Sequence, residues 1–207
     1  MFKLARSEFQ PVGGESNQDL ILSDPATDAR IVEEVRRGDR DAYGVLVTRY
    51  EKKLQRVLRR LVRDPEQARD LAQETFLKVY QHLDQFAPSR RFGPWLFRVG
   101  VNLAVDWLRR RKPTVRLSQM AREDENSIEV IDPDPRPRLE LEQEVHHVLQ
   151  EIPVNYRTVL VLRDLEGFSC SEVAAIEGRR EATIRWRLSR AREMFRKIWE
   201  RRQGIRR

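Results

Sequence analysis

Residues 92–112 read FGPWLFRVGVNLAVDWLRRRK, and at about 100° per residue they set Trp95, Arg98, Asn102, Asp106 and Arg109 on one helical stripe, with Leu96, Val99 and Leu103 beside it. A ring, an amide and several cations on one face can stack on a base, hydrogen-bond its edge and hold its phosphate. Gly93 and Pro94 suit the start of this helix, because proline is preorganised for a first turn. Pro113 stops it just after the basic run Arg109, Arg110, Arg111 and Lys112. The competing reading is an amphipathic core helix with a solvated charged side. A second basic segment weighs against it.

That segment is FSCSEVAAIEGRREATIRWRLSRAREMFRK, residues 168–197, which reads as helix, tight turn, helix. Ser169 with Glu172 forms a capping box, Val173, Ala174 and Ile176 give a small apolar face, and Gly178 supplies the turn. In the second helix Ile184, Leu188, Ala191, Phe195 and Ile198 point inward, leaving Arg185, Trp186, Ser189, Arg190 and Glu193 outside. This is the spacing of a helix-turn-helix whose second helix can enter a major groove.

The elements that must carry these faces follow the same periodicity. Ile31, Val32 and Val35 predict a short helix ended by Gly38, and the pattern from Tyr43 to Leu61 predicts a long amphipathic one. Asp64 and Pro65 then read as the cap and first turn of a third helix, about 65–82. Its apolar face is Ala68, Leu71, Ala72, Thr75, Phe76 and Val79, and Glu66, Asp70, Gln73, Glu74 and Gln81 lie opposite with Leu77 among them. Another helix over about 139–152 turns Leu141, Val145, Val148, Leu149 and Ile152 to one side, and a short one follows Pro153. The predicted fold is all-α: two small helical domains joined by a flexible linker.

The expected boundaries are a disordered extension over 1–27, a first domain over 28–112, a linker over 113–138 and a second domain over 139–207. The linker loses periodicity, gains Pro133, Pro135 and Pro137, and carries Glu123, Asp124, Glu125, Glu129, Asp132 and Asp134. Two basic surfaces are thus separated by an acidic tether, and the net charge of +7 favours a polyanionic partner. The single Cys170 excludes an internal disulfide and fits a reducing compartment. The run MFKLARSEFQPVGG lacks a signal peptide's long apolar centre, and no segment reaches the roughly 20 apolar residues of a membrane span. A cytoplasmic protein without direct membrane insertion is expected.

Catalysis finds no support in the residue pattern. His82, His146 and His147 are the only histidines, and the adjacent pair points about 100° apart on a helix, unlike an i, i+4 ligand pair. There is no phosphate-cradling glycine loop and no Ser, His, Asp constellation. The expectation is a binding protein with no cofactor, no metal and no small-molecule substrate. A stand-alone helix-turn-helix repressor or activator would need a dimer interface, and it leaves the stripe on 92–112 without a use.

Over residues 28–200 the chain resembles a bacterial extracytoplasmic-function (ECF) sigma factor, on three motifs in the expected order. DLAQETFLKVY resembles the σ2 helix that binds the clamp helices of the polymerase β′ subunit, with Asp70, Gln73, Glu74 and Leu77 as the implied contacts. WLFRVGVNLAVDWLRRRK resembles the helix that opens and reads the promoter −10 element, and FSCSEVAAIEGRREATIRWRLSRARE the σ4 helix-turn-helix that reads the −35 element. Carried over by position, the promoter-reading asparagine falls on Asn102, with Asp106 and Arg109 as motif neighbours. Trp95 and Arg98 belong to the same stripe. The loop that shapes the pocket for a flipped −10 base lies within Phe86 to Phe92, which makes Ser89, Arg90 and Arg91 candidates. In the second domain the base- and phosphate-contacting positions fall on Arg185, Trp186, Arg187, Ser189 and Arg190.

Two residues depart from the family pattern. A small polar residue is usual where Trp186 stands, so the −35 specificity is this chain's own. An alanine is usual where Gly100 stands, which predicts a locally looser −10 helix. The partners implied are core RNA polymerase, through its β′ clamp helices and β flap, promoter DNA, and an anti-sigma factor. Promoter elements about 17 base pairs apart, at about 3.4 Å each, stand about 58 Å from one another. The linker reaches about 90 Å when extended but only about 30 Å as a free coil, so polymerase must hold the domains apart.

Overall fold

The computed structural model describes residues 25–110 and 136–204, all of them helix or connecting turn with no strand among them. Residues 1–24 and 111–135, most of the expected extension (1–27) and linker (113–138), lie outside the described residues, and described helices begin at Pro25 and Arg136, within those expected bounds. Four helices build the first unit: α1 (Pro25–Arg36), α2 (Arg40–Leu61), α3 (Pro65–Gln81) and α4 (Phe92–Arg110). The second unit contains α5 (Arg136–Glu151), α6 (Val154–Leu160), α7 (Cys170–Glu177) and α8 (Glu181–Arg202).

Local chemistry sets several of the helix ends. Asp39 accepts from the backbone N–H groups of Asp41 and Ala42 at the start of α2, and Asp64 from those of Glu66 and Gln67 at the start of α3, with Pro65 in the first turn. The capping box of Ser169 and Glu172 is formed at α7, and Gly178 closes that helix in the left-handed conformation at φ 62°, where a side chain would be strained. Between α6 and α7 the chain makes one wide turn, Val161–Leu165, in which the Glu166 N–H donates to the Val161 carbonyl at 3.0 Å. This π-type turn aims Glu166 back at α2.

The predicted apolar face of α3 is buried in full, packed against Leu46, Leu54, Val57 and Leu58 of α2 and Leu96, Phe97 and Ala104 of α4. Gly100 lies buried where these three helices meet, and a Cβ there would stand 2.9 Å from Leu54 Cδ1 and 3.2 Å from Thr75 Oγ1. The glycine therefore marks close packing, not the looser helix expected from its sequence. In the second unit Leu149, Ile152, Val159, Leu162, Ile176, Ile184 and Leu188 form the core, which continues without a break into that of the first unit.

Candidate polymerase and promoter interfaces

On α3 the outward face carries Asp70, Gln73, Glu74 and Leu77, all exposed, with Leu77 57 % accessible in a field of polar groups. Lys78 pairs with Glu74 at 2.9 Å. Tyr80, one turn beyond Leu77, is also exposed, and its ring meets Tyr43 edge-on at 4.9 Å. Tyr43 donates to the Phe76 carbonyl at 2.6 Å, and burial pushes its hydroxyl pKa up. This aromatic extension of the acidic face was not singled out from the sequence, although the i, i+3 spacing from Leu77 contains it.

The loop before α4 is anchored from three sides. Arg36 of α1 donates to the carbonyls of Leu83 at 2.8 Å and Phe86 at 2.6 Å. Phe86 and Phe92 are buried, and the Trp95 ring packs against both, tilted to Phe86 with centroids 5.3 Å apart and edge-on to Phe92 at 5.9 Å. Trp95 is consequently half-buried. Ser89, Arg90 and Arg91 are exposed at the loop's tip, but Arg91 pairs with Glu172 of α7 at 2.7 Å. Beyond them Arg98, Asn102, Asp106 and Arg109 form one exposed line, with Arg109 and Asp106 paired at 3.7 Å.

Helix α8 presents Arg185, Trp186, Ser189 and Arg190 to solvent. Trp186 is 61 % exposed, with its ring 6.1 Å from that of Tyr156, and Arg185 and Arg190 are held by Glu181 and Glu193, each at 2.6 Å. Arg187 turns inward instead. Its side chain is 16 % accessible and pairs with Glu177 at 2.9 Å, tying α8 to α7. Burial raises the Glu177 pKa, and Arg187 opposes that shift.

Comparison with known proteins gives the family. The model of Sigma-70 region 2 matches residues 46–114, and that of Sigma-70, region 4 matches residues 142–195. The RNA polymerase sigma-H factor of Pseudomonas aeruginosa is 35 % identical over 174 residues, covering 80 % of this chain and 90 % of its own. The ECF RNA polymerase sigma-E factor of Escherichia coli K12 is 34 % identical over 180 residues, covering 83 % and 94 %.

The chain belongs to the ECF sigma factors.

This sigma factor is a non-enzymatic specificity subunit that directs promoter-specific transcription initiation. Among solved structures, CnrH in complex with the cytosolic domain of CnrY is 28 % identical with a TM-score of 0.65, covering 84 % of this chain and 97 % of CnrH. RpoE in complex with the anti-sigma factor NepR from Bartonella quintana shares the fold at 21 % identity and a TM-score of 0.59, covering 76 % and 96 %. No described helix of the sigma factor is long and apolar enough to cross a membrane. Arg192 and Arg196, which line a shallow groove on α8 with Arg185, Leu188 and Ser189, extend its basic line beyond the positions taken from the sequence. Their i, i+4, i+7, i+11 spacing was the available signal. Arg192 is itself held by Asp164 through two bonds of 2.7 and 2.6 Å.

Proposed function

We propose that this sigma factor docks on the β′ clamp helices through Asp70, Gln73, Glu74 and Leu77. In this reading α4 captures unpaired −10 bases with Trp95, Arg98, Asn102, Asp106 and Arg109, helped by Ser89, Arg90 and Arg91. Arg185, Trp186, Ser189 and Arg190 contact the −35 duplex while the β flap carries the second unit, and Arg187 acts by buttressing the recognition helix. Residues 113–138 are the acidic linker between domains over 28–112 and 139–207, and they thread the basic RNA-exit region. Residues 1–27 are an extension to the first domain.

The observation that carries the reading most is the exposed line Arg98, Asn102, Asp106 and Arg109 on a helix whose other side is wedged between α2 and α3. Polar groups on so rigid a support reach an unstacked base with little ordering cost. Likeness to CnrH and RpoE, both solved with anti-sigma chains, supports an anti-sigma factor as the third partner, and the activity requires the cytoplasm. Run-off transcription with core polymerase on a promoter library tests the whole reading. Discrete start sites sharing two elements about 17 base pairs apart are expected. Transcripts no different from those of core alone would overturn it.

A further inference from the structure

The loop before α4 is held near both of its ends through α1, a helix that precedes the stretch matched by the region 2 model. At the loop's start a single nitrogen of Arg36, Nη2, lies within hydrogen-bond reach of three carbonyls: Leu83 at 2.8 Å, Asp84 at 3.1 Å and Phe86 at 2.6 Å. The sequence puts it there, because Ile31, Val32 and Val35 bury the inner stripe of α1 and Arg36, one step from Val35 at the edge of that stripe, carries its polar head to the loop. At the loop's far end Asp28 of α1 accepts from the Tyr50 hydroxyl, and the Tyr50 ring backs Gly93, where a Cβ would stand 3.2 Å from its Cε1.

Three carbonyl oxygens that converge on one point repel one another and need a cationic donor between them. The guanidinium supplies it, and its charge makes each bond stronger than a neutral one. Arg36 is only 20 % accessible, and its Nε is buried without an acceptor among the described residues, a loss of water that the loop bonds offset. Its pair with Glu33, at 3.6 Å on the rim, adds little. Phe86 is the pivot: its carbonyl is held by Arg36, its buried ring supports Trp95, and the Phe92 ring stands 5.6 Å away. Residues 87–91 therefore form a short arch between two fixed aromatic posts, closed by the Arg90 N–H donating to the Ala87 carbonyl at 2.9 Å. Ser89, Arg90 and Arg91 stand on that arch.

We propose that Arg36 is the positioning residue of the −10 reading loop: by holding the carbonyls of Leu83, Asp84 and Phe86 it presets the arch and the Trp95 ring for an unstacked base. It touches no base itself. The proposal rests on the assignment of α4 and its loop to the −10 element. A preset arch takes up a base without the cost of ordering its residues at that moment, and a fixed shape is what distinguishes one base from another. Without the guanidinium the three carbonyls part, Phe86 is released and Trp95 loses its backing, so the loop closes on different bases more nearly alike.

Arg36→Met keeps the apolar stem and removes every donor, whereas Arg36→Lys keeps the charge and one donating group. Holoenzyme made with each is titrated with the single −10 strand recovered by run-off selection and with single-base substitutions of it. At the most selective position the base preference of the wild-type holoenzyme should fall about tenfold in Arg36→Met and less in Arg36→Lys, with core affinity unchanged. A mere loss of stability lowers the folded fraction and weakens all strands alike, leaving that ratio as it was. In a chain keeping only Trp95, with Trp107, Trp186 and Trp199 replaced by Phe, Arg36→Met should also shift emission to the red in the absence of DNA. An unchanged preference overturns the proposal, and so does unaltered Trp95 emission. If Arg36→Met fails to fold, Arg36→Lys decides by the same ratio, a value equal to that of the wild type overturning it. If the wild-type holoenzyme shows no base preference on the single strand, the assignment of α4 fails, while a red shift of Trp95 still shows that Arg36 sets the loop.

Discussion

At the scale of single residues, two side chains carry most of what is particular to this sigma factor. Trp186 projects from the recognition helix beside Arg185 and Arg190, and an indole there can pack on a thymine methyl in the major groove. In a variant with Trp95, Trp107 and Trp199 replaced by Phe, emission should be red-shifted in the free chain and should change on adding −35 duplex. Blue emission without DNA would mean that the ring is buried, contrary to its position on α8. Gly100 answers to packing. Ala there gains about 1 kcal/mol of helix propensity and loses a similar amount to crowding against Leu54, so its melting temperature should move little. Gly100→Val keeps the crowding without the propensity and should cost about 3 kcal/mol, read from denaturant unfolding. Equal stability of Gly100→Val and wild type would remove the close packing at this site.

At the scale of elements, α3 separates its two jobs cleanly, with a buried face that builds the domain and an acidic face that leaves Leu77 in water. Leu77→Ala with Glu74→Arg should therefore weaken core association at least tenfold while thermal stability changes little. Unfolding of the domain by the pair would show the faces to be reversed. Periodicity gave these faces, the caps at Asp64 and Ser169 and the turn at Gly178, because each is a local relation of a few residues along the chain. The resemblance to the family puts Arg187 among the DNA contacts, whereas the tertiary position of Glu177 draws that guanidinium inward. On α4 the helical period sets Trp95 on the outward stripe and says nothing of its half-burial. Its partner Phe86 lies outside the helix, where no helical period could reveal it.

At the scale of the whole molecule, the joint between the units cannot be read from the sequence, because it rests on contacts between residues far apart in the chain, Glu166 with Arg56 and Arg60 and Phe168 with Phe97. The joint has a pH signature. Burial holds the His146 imidazole pKa down at about 4, with His147, Arg59, Arg157 and Arg63 adding to the effect. The unfolded chain takes up that proton near pH 6.5, so the stability is present above this value and is lost progressively as pH falls toward about 4. His146→Gln should flatten the pH dependence of unfolding, with a difference from wild type on the order of 1 kcal/mol at pH 5 after allowing for partial exposure. Parallel curves for the two proteins would contradict the half-buried neutral imidazole. The central claim is that α4 opens promoter DNA by taking up unstacked bases, and permanganate footprinting of the −10 region by holoenzyme tests it most directly. Thymines there should become reactive with the wild-type sigma factor, and with Asn102→Ala their reactivity should fall roughly tenfold while core binding is retained. Equal reactivity with both proteins would contradict the account.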